Sequence, residues 1–151
     1  MRIVETYSHL NGEEYLLVKQ PDLYQEIKDV ITQVDALKCM TKKSKESTMK
    51  GKWLYSPKAL NKQFTNLFHQ KGWSESRYNY YVTTNRKYMD ELIKLPLKDQ
   101  QEYLIQKGVT NPIKSYKQTD FVKERVAVEV QFGKYAFVAF DLFVKHLLFY
   151  S

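Results

Sequence analysis

An acid and an amide share the polar face of a strand that the sequence predicts near the end of the chain. Residues 125–132 read RVAVEVQF, with apolar side chains at every second position, as expected for a β-strand with one covered face. Glu129 and Gln131 fall on the other face, which is where we look for chemistry. The covered face is formed by Val126, Val128, Val130 and Phe132.

A second β-prone run, residues 116–122, precedes this strand. A tight reversal centred on Glu124 and Arg125 makes the two runs an antiparallel hairpin in which Asp120 lies opposite Glu129. Directly opposed residues have Cβ atoms about 4.5–5.5 Å apart, and two carboxylates at that separation repel each other unless a divalent cation bridges them. The spacing therefore indicates a metal site. The alternative is an ordinary half-solvated strand whose outer face carries an acid and an amide.

Length and charge limit the classes of protein to be considered. With 151 residues, 43% of them hydrophobic, the chain can bury a sizeable core, and we expect one folded domain. Lys and Arg number 24 against 17 for Asp and Glu, so the net charge is +7, which favours a polyanionic partner and makes nucleic acid the first expectation.

The sequence also predicts a cytoplasmic location. Cys39 is the only cysteine, which excludes an internal disulfide and suits a reducing compartment. The first residues, MRIVETYSHLNGEE, contain acids too early for a signal peptide. No apolar run reaches the roughly 20 residues that span a bilayer, so no membrane partner is expected.

Helical and strand patterns alternate along the chain and predict an α/β (α+β) fold. Pro21 suits the first turn of a helix that we expect to run to about Leu37. Its apolar stripe consists of Leu23, Ile27, Val30, Ile31 and Val34. The other predicted elements are a strand at 2–7, helices at 12–19 and 56–70, a tyrosine-rich strand within 73–83, a helical pair within 86–107 around Pro96, and the hairpin after Pro112.

Residues 38–52 form a polar stretch, read as a loop or short strands, with six lysines against one acid, Glu46. A run of this kind is either a solvated surface or a patch that faces phosphates. Its candidates for DNA binding are Lys42, Lys43 and Lys45. A cluster of tyrosines in the following strand could stack on bases or pack across strands. This cluster is formed by Tyr78, Tyr80 and Tyr81.

Other chemistries have little support in the sequence. The three histidines, His9, His69 and His146, lack zinc-ligand spacing with each other or with Cys39. The five glycines form no phosphate-binding loop, and no Gly-x-Ser-x-Gly motif is present. Zinc chemistry, nucleotide hydrolysis and acyl transfer are therefore not expected.

The last segment, residues 136–150, is apolar at twelve of fifteen positions. A helix with so little polar surface needs cover on all sides, either from its own domain or from a partner subunit as well. The polar exceptions are Asp141, Lys145 and His146.

The segment KSYKQTDFVKERVAVEVQFGKYAFVAFDLFVKH resembles the catalytic centre of the BglII and BstYI group of type II restriction endonucleases, which are relatives of BamHI in the PD-(D/E)xK nuclease superfamily. The resemblance is strongest to BstYI and runs through the whole chain, including MRIVETYSHLNGEEYL, LYSPKALN and ESRYNYYVT. In this group glutamine replaces the superfamily's usual lysine. The pattern Asp, eight residues, Glu, one residue, Gln falls on Asp120, Glu129 and Gln131.

The resemblance implies a fold and an activity. The fold is a restriction-endonuclease-like domain over residues 1–151, with a central mixed sheet flanked by helices. Because enzymes of this group continue past the point that corresponds to Ser151, we expect the C-terminal part of the domain to be missing. The activity is Mg²⁺-dependent cleavage of double-stranded DNA at a palindromic site, purine-GATC-pyrimidine, within a restriction-modification system that pairs the enzyme with a cognate DNA methyltransferase.

The resemblance also implies roles for individual residues. Asp120, Glu129 and the backbone carbonyl of Val130 hold Mg²⁺, which polarises a scissile phosphate oxygen and activates a water. Gln131 cannot act as a general base at ordinary pH, so its role is to position that water. Gly133 and Lys134 lie at the rim of the cleft. Lys134 is the candidate for a base contact, with a phosphate contact or a free surface cation as the alternatives.

The group's enzymes pair two subunits through helices across a two-fold axis, which matches a palindromic site. The apolar helix is the expected homodimer interface, through Phe140, Phe143, Val144 and Leu147. Two other function classes stay open beside the nuclease. One is a catalytically incomplete fragment that binds DNA or is inert, and the other is a basic nucleic-acid-binding domain without a metal.

Overall fold

The structure is a computed structural model and describes residues 1–132. The described chain contains five α-helices, five β-strands and two short 3₁₀ turns, which confirms the α+β fold class. The α-helices are α1 (Gly12–Lys19), α2 (Pro21–Gln33), α3 (Pro57–Gln70), α4 (Arg86–Leu92) and α5 (Leu97–Gln106). The strands are β1 (Lys42–Lys43), β2 (Trp53–Leu54), β3 (Ser74–Val82), β4 (Ile113–Lys123) and β5 (Val126–Val128).

The strands form two sheets. Strands β1 and β2 pair with each other in antiparallel register, and the second sheet has the order β3-β4-β5. The 3₁₀ turns, Leu37–Cys39 and Ser47–Met49, flank β1. None of the helices in residues 1–132 has the length and apolarity that crossing a bilayer requires.

The chain divides into two compact units. The first comprises Met1–Ser74 and the segment that begins at Asp120, and the second contains Glu75–Thr119. The core of the first unit joins α2 and α3 to the last two strands. Its buried side chains are Leu23, Val30, Val34, Cys39, Leu60, Phe64, Phe68, Trp73, Phe121 and Val126. Our expectation of a single domain stays a prediction.

In the second unit a buried amide joins α5 to the tyrosine-rich strand. The side chain of Gln100 is 2% exposed. It accepts a 3.0 Å hydrogen bond from the backbone N–H of Tyr81 and donates one of 2.9 Å to the carbonyl of Leu95. A side-chain amide can accept and donate hydrogen bonds at the same time, so both the oxygen and the nitrogen of Gln100 have a partner although they are buried.

Most predicted elements are present. The helices at 12–19 and after Ser56, the strand within 73–83, and the helical pair around Pro96 are confirmed. The side chain of Ser56 caps α3 by accepting a hydrogen bond from the N–H of Ala59, as expected for a serine at the N-cap of a helix. The polar stretch 38–52 contains a short strand, one of its two predicted forms.

Two predicted boundaries are wrong. The helix from Pro21 ends at Gln33 rather than near Leu37, because Val34 adopts an extended conformation with ψ of 116°. There the N–H of Asp35 donates instead to the side chain of Gln63 on α3, at 2.9 Å. The hairpin's first strand is longer than the predicted run 116–122 and begins at Ile113.

The strand predicted at 2–7 is absent, since residues 1–8 form no regular element. The terminal ammonium of Met1 donates to the carbonyls of Thr32 and Val34, which attaches the end of the segment to the end of α2. Val4 and Tyr7 are 83% and 88% exposed, so the β-prone residues of this segment have no covering layer to pack against.

Predictions that concern Gly133, Lys134 and the apolar segment 136–150 fall outside the described residues. The apolar segment contains the proposed dimer contacts, which are Phe140, Phe143, Val144 and Leu147.

Candidate functional site

The reversal between β4 and β5 is a two-residue turn at Glu124 and Arg125. Both residues have positive φ, 47° and 67°, so the turn uses the left-handed conformations that match the twist of paired strands. Lys123 pairs with Val126 directly across it. The predicted position of the reversal is therefore confirmed, although neither residue is a glycine.

The register of the hairpin bears on the positions of the two candidate carboxylates. Phe121 pairs with Val128 as the last pair of the ladder, and the same register extended by one step would bring Asp120 opposite Glu129. The chain stays alongside β4 beyond the end of β5, because the N–H of Val130 donates a 3.0 Å hydrogen bond to Oδ2 of Asp120. Both acidic residues are half-buried. The register therefore agrees with the prediction as far as the Phe121–Val128 pair, and the opposition of Asp120 and Glu129 stays a prediction.

The two faces of this segment differ as the alternation predicts. Val126 is a buried core residue, and the apolar residues that follow it at every second position are packed against the same core. These are Val128, Val130 and Phe132. Gln131 lies between two of them in sequence and is exposed, so its amide is accessible from solvent. The polar face therefore belongs to Glu129 and Gln131, as the sequence indicates.

Aromatic packing holds β4 in place next to Asp120. The ring of Phe121 stacks on Phe68 of α3, with centroids 4.4 Å apart and planes inclined at 24°. Phe68 in turn contacts Trp73 edge to face, at 5.4 Å. Because Phe121 is the neighbour of Asp120 and points to the opposite face, this stack fixes the strand without occupying the polar face.

A half-buried ion pair fixes the same strand at its end. Nζ of Lys123 donates to both carboxylate oxygens of Glu26 on α2, at 2.8 and 2.9 Å, and to the carbonyl of Lys71 at 2.8 Å. The indole N–H of Trp73 donates to Glu26 at 2.7 Å. Helix α2, the segment just after α3 and the end of β4 therefore meet at the Glu26–Lys123 ion pair.

The electrostatics of this cluster favour the charged state of Glu26. Burial by itself raises the pKa of the Glu26 carboxyl, but the hydrogen bonds from Lys123 and Trp73 and the attraction of Lys123 and Lys71 outweigh it. The pKa of Glu26 therefore lies below its ordinary value.

This cluster was not predicted from the sequence. One signal was available, since Lys123 falls two residues after Phe121 and thus on the apolar face of the strand, where a cation needs a partner. The identity of the partner could not be found in the same way, because Glu26 is 97 positions away in the chain.

Comparison with known protein families places this hairpin within a catalytic family. The family model described as "Restriction endonuclease BglII/BglIII" matches residues 4–151. The chain belongs to this restriction endonuclease family. A search of curated proteins found no match. The family consists of nucleases, which are DNA-binding hydrolases, and the match includes the whole β4–β5 hairpin.

The donor set of the hairpin suits the divalent cation on which such nucleases generally depend. Two carboxylates, on Asp120 and Glu129, and the nearby backbone carbonyl of Val130 are all oxygen donors, which Mg²⁺ prefers. The hydrogen bond from Val130 uses one of about four lone-pair positions of the Asp120 carboxylate, so capacity for a cation is left. No group of three His, Cys, Asp or Glu side chains within residues 1–132 could hold a metal.

The other basic candidates of this restriction endonuclease lie on the surface of its first unit. Lys42 and Lys43 form β1, Lys45 follows, and all three are exposed. Ser44 between them is buried, at 5% exposure.

The tyrosines of β3 have mixed surroundings. The rings of Tyr78 and Tyr80 lie 6.2 Å apart and nearly parallel, and Tyr78 is 42% exposed. The hydroxyl of Tyr81 donates to Gln101 of α5 at 2.8 Å. For Tyr81 the structure therefore favours packing over base stacking.

Proposed function

We propose that this restriction endonuclease is a Mg²⁺-dependent type II enzyme that cleaves double-stranded DNA at a palindromic, GATC-centred site. The observation that carries the proposal is the register of the β4–β5 hairpin, which brings Asp120 opposite Glu129 when it is extended by one step beyond the Phe121–Val128 pair. A hairpin that opposes two carboxylates on its polar face is a sound framework for a divalent cation. The family match supplies the substrate class.

In this proposal Asp120, Glu129 and the carbonyl of Val130 hold Mg²⁺. When bound, Mg²⁺ supplies Lewis acidity toward the scissile phosphate. The residues of the hairpin do the remaining work. The N–H of Val130 orients the carboxylate of Asp120, and the stack of Phe121 on Phe68 limits the movement of the strand that carries it.

Gln131 positions the attacking water. Its side chain is exposed on the polar face, and an amide can both accept a hydrogen bond from a water and donate one to a phosphate oxygen. It does not ionise, so it can hold the water in line with phosphorus but cannot remove the proton. Gln131 is therefore assigned orientation rather than acid–base chemistry.

Recognition is assigned to residues beyond the described chain. By the resemblance to BstYI, the site is purine-GATC-pyrimidine, with Lys134 as a base contact and Gly133 beside it at the rim. A palindrome suits a homodimer, and Phe140, Phe143, Val144 and Leu147 are the proposed interface. We place the enzyme in the cytoplasm, with a DNA methyltransferase of the same specificity as its genetic partner.

A second candidate function is DNA binding without cleavage. The exposed lysines of residues 42–45 and the net charge of +7 favour contact with a polyanion whether or not the hairpin holds a metal. Digestion of a plasmid separates the two functions. We expect discrete fragments in Mg²⁺, none in EDTA, and none from a matched plasmid without GATC sites.

Variants make the digestion specific to the hairpin. Asp120→Ala and Glu129→Ala should abolish cleavage, whereas Asp90→Ala, which removes an exposed carboxylate on α4, should leave it unchanged. If the parent chain binds the plasmid but produces no fragments with any metal, the result would favour the binding function and count against the nuclease.

A further inference from the structure

The side chain of Trp53, at the end of the lysine-rich segment, is exposed to solvent. The indole of Trp53 on β2 is 54% exposed, whereas the chain's other tryptophan, Trp73, is 1% exposed. Tryptophan is highly buried on average, so a half-exposed indole is a candidate contact surface. Tyr55, two residues later in the sequence, is also half-exposed, at 50%.

The ring of Trp53 is paired with a cation across the two strands. Trp53 lies opposite Lys43 in the β1–β2 register, and Nζ of Lys43 is 5.0 Å from the centre of the indole ring. Opposed residues of an antiparallel pair share one face, so an aromatic surface and a positive charge lie side by side.

Further lysines surround this pair. All of the lysines between residues 42 and 52 are exposed, and Glu46 is the one acid among those residues. They are Lys42, Lys43, Lys45, Lys50 and Lys52. The charge of the segment is complementary to a phosphate backbone.

The backbone of the segment is held in place by hydrogen bonds. The N–H of Ser44 donates to the carbonyl of Lys52 at 2.8 Å, and the N–H of Gly51 donates to the carbonyl of Ser44 at 3.1 Å. Gly51 has φ of 82°, a conformation that other residues rarely adopt. The base of the hairpin is closed by a 2.8 Å bond from Ser56 to the carbonyl of Cys39, a core residue.

We propose that the β1–β2 hairpin, residues 42–54, is a sequence-independent DNA-contacting element in which Trp53 packs against a deoxyribose between lysine–phosphate contacts. This inference rests on the proposed function for the identity of the polyanion, duplex DNA. The backbone hydrogen bonds mean that little order has to be gained on binding. Lys43 extends the contact from the ring to a neighbouring phosphate.

The two tryptophans allow a direct measurement. Acrylamide quenching of tryptophan emission is recorded for the full chain in EDTA, where no cleavage can occur, with and without a duplex that lacks GATC. We expect DNA to protect the exposed Trp53, so that quenching falls toward the level of the buried Trp73. Trp53→Phe isolates the emission of Trp73, which should not respond to DNA.

Affinity measurements give the second test. Trp53→Ala should weaken binding of specific and unrelated duplexes alike, by about fivefold, because apolar contact area is lost. Lys42→Ala should lower the slope of log affinity against log salt concentration by about 0.9, the loss of one phosphate contact. The matched controls are Ile93→Ala, 62% exposed, and Lys98→Ala on α5, and both should bind as the parent does.

The outcomes separate this inference from the proposed function. If DNA protects Trp53 but the chain does not cleave DNA in Mg²⁺, the protection would support the hairpin contact. The missing cleavage would then count only against the nuclease. Cleavage with unprotected Trp53, or equal losses in the two control variants, would overturn the hairpin contact alone. Protection of Trp53 by vesicles of anionic lipid but not by duplex DNA would also overturn it, in favour of a membrane surface.

Discussion

The backbone N–H of Val130 donates a 3.0 Å hydrogen bond to the carboxylate of Asp120, across the polar end of the β4–β5 hairpin. The bond aligns the proposed metal ligand with the segment after β5 that contains Glu129. It also leads to a distinction between two substitutions at position 120, since an amide can accept the bond and a methyl group cannot.

Asp120→Asn should therefore fold with nearly the parental free energy of unfolding, whereas Asp120→Ala should lose about 1 kcal/mol, because the half-buried N–H of Val130 is left without its acceptor. Urea denaturation of the two variants checks this. Both should still bind duplex DNA in EDTA, since the phosphate contacts are elsewhere. Equal stability of the two variants would show that the Val130 bond contributes nothing.

Gln131 gives a graded prediction. Gln131→Ala should lower the single-turnover cleavage rate by about tenfold to a hundredfold, because the water loses its orienting partner. Gln131→Glu should be milder than Asp120→Ala or Glu129→Ala, since it keeps the side-chain length and adds a possible ligand. Rates in Mg²⁺ at saturating enzyme measure this. A parental rate for Gln131→Ala would remove the residue from the site.

The Glu26–Lys123 pair predicts a pH dependence of stability. The pKa of Glu26 is lower in the folded chain than its ordinary value of about 4.3, so the unfolded state binds the proton more readily. The pair's contribution is fully present above about pH 5 and is lost as the pH falls through the lower, folded-state pKa. Stability should therefore decrease on acidification.

Glu26→Gln tests this dependence. The variant should lose about 1–3 kcal/mol at pH 7, because Lys123 then lies half-buried without its counter-ion, and the difference from the parent should shrink as the pH falls below 4. Thermal unfolding between pH 3 and pH 7 provides the measurement, with Glu102→Gln on the exposed surface of α5 as the control. A difference that stays constant with pH would contradict the assignment.

Lys134 is tested by specificity rather than by rate. If it reads a base, Lys134→Ala should change the ratio of cleavage at sites that differ by one base pair, corresponding to about 1–3 kcal/mol of discrimination. A phosphate contact would instead weaken cleavage at every site equally and reduce the dependence on salt. A panel of duplexes that vary in the outer and central bases separates the two roles.

Local patterns predicted the part of the site that depends on strand geometry. Residues 125–132 place a hydrophobic side chain at every second position, and that period alone identified the faces. The turn at Glu124 and Arg125 lacks the Asn-Gly signal of a tight hairpin. It could still be placed, because the polar run KER separates two β-prone segments.

Long-range contacts account for what the sequence did not predict. The stripe of α2 continues through Val34, yet the helix ends before it, because the side chain of Gln63 takes the N–H of Asp35. Lys123 and Glu26 meet only after strand β4 and helix α2, which carry them, have packed together. No local pattern encodes such a choice of partner.

The cleavage rate of a double variant tests the central claim most directly, which is that Asp120 and Glu129 hold one cation together. Single-turnover cleavage of a duplex with one purine-GATC-pyrimidine site is measured in Mg²⁺ for the parent, Asp120→Asn, Glu129→Gln and the variant with both changes. Ligands that act as a unit are not additive, so each single variant should be about as slow as the double variant. Single variants that cut at the parental rate, or losses that multiply in the double variant, would contradict a shared metal site in the hairpin.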